Sequence, residues 1–194
     1  MKDIPPFVAV DLFWIPLGAG GHFVRLNGKI YEAAVSLLES RRPLDLYHSA
    51  LEVHVPEGRF AIECAWVSST DAEKRGVVAG GAVISRWAGH VRIFRYEVRC
   101  WHDGVIPDLG EAVESPQRLT EDEGTAHRLL HLAAQVPTPV WGRDELGVGE
   151  MWNSNSVISW LLVSSGIGVM SLSMPSGGRA PGWDAGLAVA RRQA

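Results

Sequence analysis

Residues 151–166 read MWNSNSVISWLLVSSG. Four small polar residues, Asn153-Ser154-Asn155-Ser156, precede the apolar run Val157, Ile158, Trp160, Leu161, Leu162 and Val163, which stops at Gly166. Polar residues at the start and glycine at the end are the signals of a helix. Apolar residues on nearly every side put that helix inside the domain. A helix N-terminus presents free N–H groups and a partial positive charge. A serine hydroxyl there is either a cap or a nucleophile, and Asn and Ser are favoured caps.

The next informative stretch is a hairpin. Leu46 to Val55 alternates, with Tyr47, Ser49, Leu51, Val53 and Val55 on one face and His48, Ala50, Glu52 and His54 on the other. After Pro56-Glu57-Gly58, Phe60, Ile62, Cys64 and Trp66 alternate with Arg59, Ala61, Glu63 and Ala65. This is a two-residue period, and the short turn makes the strands antiparallel. Keeping the apolar faces together puts Ala50 opposite Glu63, with His48 diagonal to Glu63. The small residues Ala50, Ala61 and Ala65 around them predict a face to which a helix can come close.

Around these elements the chain reads as follows. Residues 7–15 form a strand. Gly18–Gly21 is a glycine loop without the Lys-Ser/Thr ending of a phosphate loop. Asn27-Gly28 is a hairpin turn, and 29–40 continue as strand and short helix. Residues 68–81 read as loop, and Ala82–Trp87 with Val91–Trp101 as a second hairpin with one solvated side. A helix is expected from Ser115-Pro116 or Thr120-Glu121-Asp122-Glu123 through Gln135. Pro137 and Pro139 end it. A Gly/Pro-rich C-terminal arm runs from about 170 to 194, with Trp183 and Leu187 as its anchors.

The totals bound the class. The chain has 194 residues, 46% hydrophobic and 21% charged, which predicts one packed domain over residues 1–194. A net charge of -4 argues against a nucleic-acid partner. Cys64 and Cys100 read as buried thiols in a reducing compartment, and the N-terminal stretch lacks signal-peptide character, so the expected setting is cytoplasmic. No run is long and apolar enough for a transmembrane segment. No cofactor and no metal are expected. His127 and His131 are four apart on a helix, but HRLLH lacks the glutamate of a zinc-protease motif.

A histidine on a strand, a carboxylate on the next and a hydroxyl at a distant helix start supply base, orienting group and nucleophile. This order resembles the circularly permuted papain-like group, which includes NlpC-like, YiiX-type and lecithin:retinol acyltransferase-like proteins. YHSALEV resembles its histidine strand, FAIECAWV the strand of its third polar residue, and NSNSVISWLL its nucleophile helix. The resemblance covers roughly residues 44–67 and 150–166. It implies an α+β papain-like fold: a central antiparallel sheet with a buried helix packed across one face. It also implies an amide, ester or thioester hydrolase or acyltransferase with Ser154 as nucleophile, His48 as base and Glu63 orienting it. Asn153 and Asn155 mark the oxyanion-binding helix start, and Trp152 and Trp160 are candidate walls for an acyl or peptide groove. Serine stands where the family has cysteine, and a nearby histidine cannot ionise a hydroxyl as it does a thiol. Three readings therefore stand together. One is a serine hydrolase; another is a catalytically inactive domain that binds a peptide or protein. In the third, Ser154 is a helix cap in a chance resemblance.

Overall fold

The computed structural model describes residues 7–17, 42–66 and 76–193. The expected glycine loop, the Asn27-Gly28 turn and the strand and helix over 29–40 lie outside these residues. The fold is mixed α/β, with a seven-stranded sheet and three α-helices among the described residues. The strands are β1 (Ala9–Pro16), β2 (Asp45–Val55), β3 (Gly58–Trp66), β4 (Val77–Ala82), β5 (Arg95–His102), β6 (Val113–Thr120) and β7 (Gly178–Arg179). Their order is β4-β5-β3-β2-β1-β6, and β7 adds a short parallel pairing to β2. All the other pairings are antiparallel. The helices are α1 (Glu123–Leu132), α2 (Ser154–Ser164) and α3 (Trp183–Gln193).

The β2–β3 hairpin forms in the register that its turn predicts, from Val55↔Gly58 to Leu51↔Ile62. One sheet face carries Tyr47, Leu51, Val53, Ile62 and Cys64, and α1, α2 and α3 complete the main core over it with Leu129, Ile158, Leu161 and Trp183. The opposite face holds a smaller cluster of Phe13, Ile15, Ala50 and Ala61, covered by Ile106 and Leu109 of the β5–β6 connection.

Helix α2 is the buried helix that its sequence predicts. Every residue from Ser154 to Leu162 is buried. Gly166 at φ 89° takes the left-handed turn after its end, where the Ile167 N–H returns to the Leu162 carbonyl.

The choice of face is a correction. The small-residue face of the hairpin does not receive α2. The helix lies instead on the apolar face, because a helix apolar all round gains most where it covers the most apolar area.

Three further expectations are revised. Val113–Thr120 is strand β6, and the helix begins only at Glu123, where the Asp122 carboxylate accepts the Thr125 N–H at 2.7 Å. Residues 77–81, read as loop, belong to edge strand β4. The last part of the C-terminal arm, from Trp183, is helix α3.

Helix α3 lies directly against α2. A Cβ on Gly186 would collide with the Ser156 carbonyl oxygen and the Ser159 hydroxyl. Gly186→Ala is therefore expected to cost about 1–3 kcal/mol, despite the better helix propensity of alanine. Urea unfolding of the variant checks this, and a stabilised variant would show that the helices can separate freely.

Candidate functional site

Asn153, Asn155 and Ser156 at the polar start of α2 are engaged in hydrogen bonds. Asn153 is the N-cap, and Ser154 is the first helical residue. The Asn153 side-chain oxygen accepts the Asn155 N–H at 2.9 Å and the Ser156 N–H at 3.4 Å, while the Ser156 hydroxyl accepts the Asn153 N–H at 3.0 Å, which closes a reciprocal capping box. Asn155 Nδ2 donates to the carbonyls of Tyr47 (3.0 Å) and Pro181 (2.9 Å), and Asn155 Oδ1 accepts the Ser49 hydroxyl at 2.9 Å. Asn153 Nδ2 also donates to the Pro181 carbonyl. Ser156 and Ser159 donate to the Gly182 and Trp183 carbonyls at 2.6 and 2.7 Å. These groups fasten the helix to β2 on one side and to the chain leading into α3 on the other. The Asn155 N–H, an expected oxyanion donor, is thus already taken by the cap.

The three residues of the expected triad are not brought together. Ser49 meets α2, so its neighbour His48 points through the sheet to the other face, on the side of Ala50. Burial there pushes the His48 imidazole down to about 4, and the Asp108 carboxylate opposes that shift. Glu63 lies on the His48 side of the sheet, as the alternation predicts, but its carboxylate accepts Arg99 Nη1 at 2.8 Å. Arg99 also holds Glu97 through Nη2 at 3.0 Å. The three side chains form a buried ion group across β3 and β5, and Arg99 was absent from the expected site. Its signal was the alternating RYEVR of β5, readable only once β3 and β5 are known to be neighbours.

The remaining candidates are placed as follows. Trp152 and Trp160 are core residues, and Trp160 Nε1 donates to the Gln193 side chain at 2.8 Å. Cys64 faces the main core, where burial raises its thiol well above the ordinary range. Both cysteines are free. His127 Nε2 lies 3.0 Å from the Glu57 carboxylate, which raises its pKa.

A different part of the molecule offers an open site. A groove of about 560 Å³ lies between the β4 end, the β4–β5 connection and the Pro137–Val140 segment. Arg86, His90 and Arg95 line it, with Thr138 and the glycines Gly81 and Gly89. Glu145 braces one wall: its carboxylate takes Arg86 Nε at 3.1 Å and the Val140 N–H at 2.9 Å. Arg95 is exposed, and no carboxylate among the described residues pairs with it. An open groove with an uncommitted guanidinium and an imidazole can take a carboxylate or phosphate.

Two measurements check these placements. Asn155→Ala would strand the Ser49 hydroxyl and the Tyr47 carbonyl, leaving the Pro181 carbonyl to Asn153 alone, and is expected to cost about 3 kcal/mol; Ser154→Ala should cost less than about 1 kcal/mol. Equal costs in urea unfolding would contradict the hydrogen-bond pattern. His48 sets a pH dependence. Unfolding restores an imidazole that protonates near 6.5, while the folded side chain resists protonation down to about 4. Between those values the unfolded chain binds more protons, so stability falls as pH drops from 6.5 towards 4, by up to about 3 kcal/mol. His48→Gln should flatten this part of the curve, and an unchanged slope would assign it to other groups.

Comparison with protein-family models, curated proteins and solved structures gives no match to this chain.

Proposed function

We propose that this protein is a binding module, a non-catalytic domain of permuted papain-like type, which holds an anionic group of its ligand in the groove lined by Arg86, His90 and Arg95. The observation that carries the reading is this basic groove, on a chain whose net charge is -4. With Arg86 taken by Glu145, Arg95 is the guanidinium that favours an anionic ligand locally. Arg95 supplies a guanidinium fork, His90 a second donor, and the Glu145 brace keeps the Arg86 side in place without ligand.

The absence of acyl chemistry is supported by the divergence of Ser154 and His48. A serine hydroxyl needs a base within hydrogen-bond reach to give up its proton. With His48 turned to the other face and Glu63 held by Arg99, the nucleophile has no relay. The order of elements along the chain resembles that of the permuted papain-like proteins, a histidine strand, a carboxylate strand and a later helix, although α2 lies on the face opposite His48.

Two assays test the proposal. A fluorophosphonate probe should leave the wild-type protein unlabelled; labelling that Ser154→Ala abolishes would restore the hydrolase reading. Titration with inorganic phosphate, followed by NMR shifts, should perturb the groove, and Arg95→Gln should weaken the response by about tenfold. Shifts elsewhere, or none, would refute the groove.

A further inference from the structure

The connection between β4 and β5 projects from the sheet as two short turns, Ala88–His90 and Arg92–Phe94, neither of which contains a buried residue. Four of its apolar side chains face solvent: Trp87 is 84% exposed, Ile93 62%, Ile84 57% and Val91 54%. Trp66, whose indole N–H donates to the Ile93 carbonyl, extends the patch from β3. Nothing in the core explains these side chains, since each forgoes the gain from burial. Ile84 is also held at φ 70°, a left-handed conformation that a β-branched residue rarely adopts. Such strain persists where surrounding structure imposes it, and it clusters at working surfaces.

The charge of the same segment is one-sided. From Val83 to Tyr96 it carries Arg86, His90, Arg92 and Arg95 and no Asp or Glu. Glu145, from another segment, offsets Arg86, and Arg92 has a partner of its own, which leaves Arg95 as the guanidinium the segment can offer. Side chains this exposed protrude into solvent. A rigid protein partner would need a matching cavity for each one. A lipid interface needs none: it deforms around single prongs, accommodates indole rings at the boundary between headgroup and chain, and attracts clustered cations when its lipids are anionic.

We propose that the β4–β5 connection docks this protein on an anionic lipid surface. Trp87, Val91 and Ile93 enter the headgroup boundary, while His90 and Arg95 face the lipid phosphates. The contact is peripheral, and no helix among the described residues is long and apolar enough to cross a membrane. The inference goes beyond the groove reading; it shares His90 and Arg95 with it and is told apart by Trp87, which does not line the groove.

The test is co-sedimentation of the full chain with two kinds of vesicle, phosphatidylcholine alone and phosphatidylcholine with one third phosphatidylserine. Partition should be measurable only on the anionic vesicles and should fall as salt rises. Trp87→Ala should lower it by about tenfold, Trp87→Phe should retain most of it, and Arg95→Gln should lower it by about fivefold. The urea midpoints of the variants should match wild type, which separates docking from folding. Equal partition onto phosphatidylcholine alone, unaltered partition of Trp87→Ala, or no partition at all would overturn the proposal. Binding to polyglutamate without binding to vesicles would assign the patch to an acidic protein partner and would also overturn it. A phosphate titration that fails while Trp87-dependent partition persists would remove the groove reading alone.

Discussion

The bonds made by the Asn155 side chain are the constraint on which the arrangement of the other elements depends. The amide sits between the Tyr47 carbonyl, the Ser49 hydroxyl and the Pro181 carbonyl, in a region closed to water. A buried polar group without partners is costly, so the three segments it joins must come together in one geometry. That geometry sets the depth of α2 on β2. It also brings the chain at Pro181–Trp183 to the helix start, where Ser156 and Ser159 bind two more carbonyls. The position of α3 follows from those bonds and from the absence of a side chain at Gly186. A cluster of small polar residues thus does the work that a larger apolar contact does elsewhere in the core.

The two faces of the sheet solve different problems. One is apolar and is covered by helices. The other mixes alanines with charged residues; its buried Glu63 and Glu97 are held by Arg99, which bridges β3 and β5, and its buried Asp11 by Arg118 of β6. A buried ion group of this kind is weak evidence of stability, since the charges must be taken from water before they attract each other. Its effect is to favour β3 and β5 as neighbours, since Arg99 supplies a buried cation to the Glu63 carboxylate.

Much of this was legible in the sequence, and the remainder was lost for identifiable reasons. The β2–β3 hairpin was readable to the register because alternation and a short turn leave one solution that keeps the apolar faces together. Helix α2 was readable from its cap residues and from Gly166. Strand β4, VVAGGA, has no alternation to detect. Strand β6, VESPQRLT, alternates in burial but carries few apolar residues, and its Arg118 is held by Asp11 of β1, a partner 107 positions away. The site failed at a subtler step. Alternation assigned His48 and Glu63 correctly to a shared face. It could not say which face α2 would cover, because that depends on a competition for apolar area across the whole sheet.

The spacing of these contacts along the chain has a consequence for how the protein reaches its native state. Ser49 binds Asn155 across 106 residues, and β1 pairs with β6 at the far side of the sheet. Among the described residues, the β2–β3 and β4–β5 hairpins and the single helices form from near neighbours. The rest waits for the ends of long loops to meet, an entropic cost incurred before the contacts repay it. Domains of such high contact order fold slowly. During that delay the apolar edges of β1 and β2 stand open to other chains, which makes the nascent protein a candidate for chaperone protection.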